Sequence, residues 1–224
     1  LQTGVKYLYN DSLLVSRTRT RNSLGKLMET KTWYPFDYND ISGYNMATLV
    51  SNHVMSVPVK QENSVNGKIK SGSITKYNAM AQPIELFNYE GTPLDDTVAH
   101  NRNTMLESGY VSQGTLTYQS DNPLQITLKG NNITSYVWDY LGNYPIAKVI
   151  GGAQSAIAYT SFEADGKGNW TFSGSPVATS GSVTGKQAYL LSGGAVSRTG
   201  LTSSVKYIVS YWLKSGGSAT ITGG

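Results

Sequence analysis

The segment YVWDYLGNYPIAKV, residues 136–149, places a single carboxylate, Asp139, between the aromatic side chains of Trp138 and Tyr140. A carboxyl group beside aromatic rings is one arrangement used in general acid catalysis. The same residues, followed by Gly142, also suit a chain reversal, because Asp can bond turn amides and Gly readily adopts positive φ. A lone carboxylate in this setting favours the turn, so we interpret these four residues as shaping the backbone.

The other residue types that carry chemistry are sparse and badly spaced for it. The two histidines, His53 and His100, have no second His at metal-ligand spacing, and the chain has no cysteine. Thiolate catalysis, disulfides and Cys-based metal sites are therefore excluded. No nucleophile elbow, phosphate loop or dinucleotide motif occurs in the sequence. These observations predict a protein that is not an enzyme.

Three arginines, Arg17, Arg19 and Arg21, lie two residues apart and share one face if the segment is a strand. That face is suited to phosphates or acidic glycans, or it is a solvated face with Thr18 and Thr20 opposite. The net charge of +4 is spread along the chain. This small excess argues against a nucleic-acid partner.

The composition favours strands and turns over helices. The 224 residues include 24 Gly and 16 Tyr, and only 14% are charged. No run of 18 apolar residues is present, which predicts no membrane span. Apolar spacing at Met46, Leu49 and Val50 predicts one short helix. Hairpins are predicted over residues 4–33, around Asn66-Gly67, and among strands at 115–119, 124–129 and 134–140.

A short repeat connects two of these strands. Tyr118–Ile126 and Trp138–Ile146 align with a spacing of 20 residues, which places Asn122 and Gly142 at equivalent left-handed turn positions. A looser third copy, FNYEGTPL, begins at Phe87. One hairpin per repeat is expected, with each unit burying its apolar face against its neighbours.

This turn resembles the Tyr-Asp unit of RHS/YD-repeat proteins. The segments TWYPFDY, YVWDYLGNYPIAKV and AYTSFEADGKGNW, in this order, are similar to long secreted RHS-repeat proteins of the Bacteroidetes type. Gln119 replaces the Asp in one copy and Asn143 the usual Arg, so the chain is expected to precede or enter the regular array. The resemblance implies a large β-sheet that winds into a shell, a toxin-associated or cell-surface architecture.

The segments from residue 159 onward resemble carbohydrate-binding-module-like jelly rolls. That resemblance implies a structural calcium near Glu163 and Asp165, and two carboxylates at this spacing are a minimal hard-ion site. The alternative is a solvated turn cluster. Trp170 and Trp212 are candidates for stacking on glycan rings, although Trp in a strand is more often part of a core.

The predicted architecture is mostly β: a hairpin meander of YD/RHS-like repeats over 1–151, a linker over 152–158, and a partial jelly-roll-like β-sandwich over 159–224. The chain reads as a fragment of a longer polypeptide. The predicted function is a non-catalytic shell wall or spacer of a large secreted or cell-surface protein. Its partners would be the rest of the same polypeptide and cell-surface glycans, with no cofactor except calcium. The alternative is a carbohydrate-binding accessory module of a secreted polysaccharide-acting protein.

Overall fold

Tight turns between alternating strands let each strand pair with the next one along the chain. The computed structural model describes residues 4–96, 100–214 and 219–222. Ten strands form one antiparallel sheet in unbroken chain order. They are β1 Lys6–Tyr9, β2 Val15–Arg21, β3 Leu27–Trp33, β4 Lys60–Val65, β5 Lys68–Tyr77, β6 Pro83–Tyr89, β7 Tyr110–Gln119, β8 Asn122–Leu128, β9 Asn132–Asp139 and β10 Tyr144–Ile150. The predicted mostly-β class is confirmed.

The chain divides into two compact units. The first comprises Leu1–Leu116 with Leu128–Gly130, and the second comprises Thr117–Thr127 with Asn131–Gly224. The units therefore part within β7 and near the β8–β9 turn, whereas the sequence predicted boundaries at 151 and 159. None of the helices in the described ranges is long and apolar enough to cross a membrane.

The predicted hairpin turns form where the turn chemistry is strongest. Between β4 and β5, Asn66 and Gly67 have φ of 49° and 73°, the positive values that a tight hairpin requires. Between β2 and β3, the Asn22 side chain accepts hydrogen bonds from the amides of Leu24 and Lys26, both at 3.0 Å. Both reversals are fixed locally, which is why the sequence predicted them.

The core of the first unit forms where the segment between β3 and β4 packs with β5 and β6. This segment contains the predicted short helix, α1, Met46–Ser51, in which Met46 and Leu49 are fully buried. The core cluster joins residues of this segment and Met105 to Ile74 of β5 and Phe87 of β6. The apolar i, i+3 spacing of α1 therefore faces the core as predicted.

The third repeat copy is not a hairpin. β6 ends at Tyr89 and the next strand begins at Tyr110. The Tyr89 ring lies against Gly91 and Gly109, where an added Cβ would come within 2.6 Å of it. The Glu90 amide donates to the Gly109 carbonyl at 2.8 Å, which closes the base of the intervening loop. Tyr89 therefore packs at the base of a long connection between β6 and β7, and this copy does not form a tight hairpin turn.

Beyond β10 the second unit forms much less sheet than the sequence predicted. β11, Val177–Ala178, and β12, Gln187–Ala188, are two-residue strands. The alternating apolar pattern of YIVSYWLKSG, residues 207–216, predicts the strongest strand of this region. Residues 207–214 form no strand in the structure, and residues 215 and 216 lie outside the described residues. The prediction is wrong for 207–214, because a strand forms only when a neighbouring backbone supplies hydrogen bonds.

Candidate functional site

The opening segment forms a four-residue reversal between β9 and β10. Trp138 and Asp139 are the last residues of β9, and Tyr140, Leu141 and Gly142 have φ of 53°, 58° and 83°. The Gly142 amide donates to the Asp139 carbonyl at 3.1 Å. Two consecutive non-glycine residues in the left-handed region are uncommon. The contacts of Asp139 with neighbouring backbone hold this reversal in place.

Asp139 is buried, with 6% of its surface exposed. Its Oδ1 accepts hydrogen bonds from the Tyr140 amide and from the Gly166 amide, each at 2.7 Å. A Cβ added at Gly166 would lie 2.7 Å from Oδ2, so glycine permits this close approach. The first bond is the predicted turn contact. The second joins residues 27 positions apart and had no signal in the sequence.

The two aligned repeat copies contact each other directly. The Asn122 side-chain amide donates to the Gly142 carbonyl at 2.6 Å, and the Trp138 indole donates to the Pro123 carbonyl at 2.8 Å. The prediction that Asn122 takes a left-handed conformation is wrong. Ser120 has that conformation, with φ of 52°, and Asn122 begins β8. Asn122 acts through its side-chain hydrogen bond to the Gly142 carbonyl and not through a left-handed backbone conformation.

A cavity of about 400 Å³ adjoins this reversal within the second unit. Its polar lining comprises Gln119, Asp139, Gln154, Asp165, Lys167 and Asn169, and Trp138 contributes an aromatic wall. The side chains of Asp139, Lys167 and Asn169 bond backbone. Lys167 Nζ donates to the Phe172 carbonyl at 2.6 Å and Asn169 donates to the Ile157 carbonyl at 2.9 Å. Asp139, Lys167 and Asn169 therefore hold the backbone around this cavity in place.

The two candidate calcium ligands lie in different surroundings. Glu163 Oε1 accepts hydrogen bonds from the amides of Lys186 and Gln187, at 2.8 Å and 2.5 Å. Asp165 is exposed and lines the cavity beside Asp139. Among the described residues, no group of three or more His, Cys, Asp or Glu side chains is arranged to hold a metal ion. Calcium at this pair stays a prediction.

The two candidate stacking residues differ in exposure. Trp170 is half-buried, and its amide donates to the Lys167 carbonyl at 3.0 Å. Trp212 is 78% exposed within the unpaired segment 207–213. The alternative given for it above, a core position in a strand, is therefore wrong for Trp212. That interpretation required a packed sheet around the segment.

A buried charged cluster in the first unit was missed by sequence reasoning. Lys60 of β4 is 4% exposed, forms ion pairs with Glu62 at 2.9 Å and with Glu107, and lies 5.3 Å from the ring centroids of Trp33 and Tyr110. A buried ammonium is tolerated only when charges and dipoles surround it. The only sequence signal was Lys60 and Glu62 in alternation along a strand, which usually marks a solvated face.

Two tyrosines beside this cluster differ in hydrogen bonding. Tyr110 Oη donates to Glu62 Oε1 at 3.1 Å, over Gly72, where an added Cβ would overlap the hydroxyl. Tyr38 Oη is buried and has no hydrogen-bond partner among the residues that the structure describes. Burial, reinforced by the nearby Glu62 and Glu107 carboxylates, raises the pKa of both phenols above the ordinary value.

Comparison with known proteins adds no identification. No family model matches the chain, and no curated protein matches it. The resemblance to RHS/YD-repeat proteins therefore remains a prediction from the sequence.

We expect Asp139→Ala to lower the free energy of unfolding by about 1.5–3 kcal/mol, because two backbone amides lose a buried, charged acceptor. Urea denaturation followed by circular dichroism measures the loss. Asp165→Ala is the matched control from the same cavity, and its effect should stay within about 0.5 kcal/mol because that carboxylate is exposed. Equal effects of the two substitutions would contradict the structural role of Asp139.

The tyrosine pair gives a second prediction. Tyr110→Phe should cost about 1.5–3 kcal/mol, because it removes a hydrogen bond to a charged group. Tyr38→Phe should be neutral or stabilising by about 1 kcal/mol, because it removes a buried hydroxyl that has no partner. Parallel urea titrations of the two variants at neutral pH test this order, and the reverse order would refute it.

Alkaline titration supplies the control for this pair. Because the folded-state pKa of both phenols is raised, their ionisation favours the unfolded state, and the parent protein loses stability as the pH rises above about 10. Each Phe variant should therefore lose less stability than the parent between neutral and alkaline pH. A parallel decline in all three proteins would contradict the assignment.

Proposed function

We propose that this chain is a non-catalytic structural segment, a shell wall or spacer, of a large secreted or cell-surface protein of the RHS/YD-repeat type. One observation carries the proposal. Ten strands follow one another through the sheet in chain order, so every strand is paired by its sequence neighbours. A sheet built this way grows by adding hairpins at its edges, which suits a long repeat polypeptide.

The use of the ionisable groups in the second unit supports the same proposal. Asp139 and Glu163 each accept two backbone amides. In each residue one carboxylate oxygen bonds both amides, which fits a role in fixing the backbone. Both residues stabilise loops, and loss of either is expected to change stability without changing any turnover.

The proposal predicts how the outer strands behave in the intact polypeptide. If neighbouring hairpins continue the sheet, the outward-facing amides of β1 and β10 should exchange with deuterium more slowly there than in the 224-residue chain alone. Hydrogen–deuterium exchange with mass spectrometry measures both samples.

Amides of the β4–β5 hairpin provide the internal reference for this experiment, since both strands are already paired in the chain. Their exchange should be the same in the two samples. Equal exchange at β1 and β10 as well would show that these edges stay open, and it would refute the role as a wall segment.

A carbohydrate-binding accessory module is the second candidate. It is favoured by the exposure of Trp212, 78% of whose surface is accessible, because solvent-facing aromatic rings are suited to stacking on sugars. Under this alternative, neutral oligosaccharides raise the melting temperature of the parent protein. The shift is lost in Trp212→Ala or Trp170→Ala.

Tyr211→Ala is the matched control, since Tyr211 is also exposed and adjoins Trp212 in the same segment. It should retain most of the shift if indole stacking is responsible. Absence of any shift across a panel of neutral glycans would exclude this second candidate and would leave the structural proposal untouched.

A further inference from the structure

A cavity of about 340 Å³ lies on one face of β2, β3 and β4 in the first unit. Its lining is unusually rich in charge: Arg17, Arg19, Lys31, Glu29 and Asp96, with the hydroxyl of Ser64. The volume falls within the range of about 300–1,000 Å³ typical of small-molecule sites. Three cations face two carboxylates, so the cavity carries an excess of positive charge.

Two cations of the cavity lie directly opposite each other across neighbouring strands. Arg17 pairs with Lys31 in the β2–β3 register, whereas Arg19 pairs with Glu29 in the same register. Like charges directly opposite on neighbouring strands are destabilising. Glu29 and Asp96 offset part of the repulsion between Arg17 and Lys31, and a bound anion would offset more of it.

Glu29 contacts each of the two guanidinium groups along its Nε edge only. Its two oxygens pair with the Nε atoms of Arg17, at 3.3 Å, and of Arg19. Glu29 is 7% exposed, whereas both guanidinium side chains are 36% exposed. In the part of the chain that the structure describes, the Nη atoms of these arginines have no hydrogen-bond partner. Several oriented donors therefore remain open to solvent.

The polar groups on the opposite wall of the cavity already bond one another. Lys31 Nζ pairs with Asp96, whose second oxygen accepts from Ser64 Oγ at 3.3 Å. These contacts fix the wall and neutralise Lys31. The binding capacity of the cavity therefore rests on Arg17 and Arg19, held side by side by a shared buried carboxylate.

We propose that this cavity binds the carboxylate or sulfate group of an acidic sugar residue. Two guanidinium groups with open Nη edges match the geometry of an oxyanion. The space beyond them, bordered by Leu27, Gly67 and Ser64, is large for a lone inorganic anion and suits a sugar ring. The small net charge of +4 argues against a nucleic-acid phosphate backbone as the ligand.

This inference goes beyond the structural role proposed above. It adds a specific contact with acidic polysaccharide to a segment whose main task is to build a sheet. The contact involves none of the aromatic residues of the second candidate function. Failure of one proposal therefore leaves the others open to their own tests.

Isothermal titration of the 224-residue chain with tri-galacturonic acid at low ionic strength tests the site. The methyl ester of the same trimer is the neutral comparison and should not bind. Arg17→Gln and Arg19→Gln should each weaken binding at least about tenfold, the effect of removing one charge-assisted contact. Arg21→Gln is the matched control on the same strand face, because Arg21 lies outside the cavity and donates to the Gly25 carbonyl.

Chemical-shift mapping on the parent protein keeps the test decisive if a variant fails to fold. The largest shifts should fall on Arg17, Arg19 and their cavity neighbours. Equal binding of the methyl ester, shifts confined to other regions, or no binding up to about 10 mM trimer would overturn the proposal. Binding of inorganic sulfate or an aspartate-rich peptide as tight as that of the trimer would overturn the assignment to a sugar.

Discussion

The buried ammonium of Lys60 is the constraint on which the first unit depends. An isolated charge at 4% exposure would cost several kcal/mol. Glu62, Glu107, and the rings of Trp33 and Tyr110 must therefore all be in place around it. Glu107 lies in the connection between β6 and β7, so this ion pair also ties that connection to the sheet. The Lys60 ammonium thus links the position of β4 in the sheet to the connection between β6 and β7.

Glycine is needed at one position of this arrangement for a steric reason. Gly72 lies opposite Glu62 in the β4–β5 register, and any side chain there would occupy the space of the Tyr110 hydroxyl. With glycine, Tyr110 reaches across the strand and donates to Glu62. The carboxylate then has both an ammonium and a phenol as partners, which is how a buried ion pair becomes tolerable.

The second unit uses carboxylates in a related way, although against backbone and not against lysine. Asp139 joins its own turn to Gly166, and Glu163 accepts from the amides of Lys186 and Gln187 at the start of β12. Regions with little regular sheet must satisfy their backbone donors by other means. Asp139 and Glu163 provide these acceptors for the loops of the second unit.

The cavity at Arg17 and Arg19 differs from the other polar clusters in how many hydrogen-bonding groups are left without a protein partner among the described residues. In the Lys60 cluster and around Asp139 and Glu163, the charged groups bond one another or the backbone. At this cavity the fold holds two guanidinium groups by a single edge and leaves the other edges exposed. Sequence reasoning found the spacing of Arg17, Arg19 and Arg21 on one face, but it did not distinguish Arg21, which bonds the turn, from the other two.

The sequence by itself determined the features that depend on neighbouring residues. The hairpin at Asn66-Gly67, the reversal at Asn22–Gly25 and the buried face of α1 follow from local turn chemistry and periodicity, so they were predictable. The tertiary structure alone decided the partners of Lys60, the contact of Asp139 with Gly166 and the absence of a strand over residues 207–213. Each of these depends on a backbone segment or charge that is distant in the chain. A local pattern of residue types does not identify which distant group will make the contact.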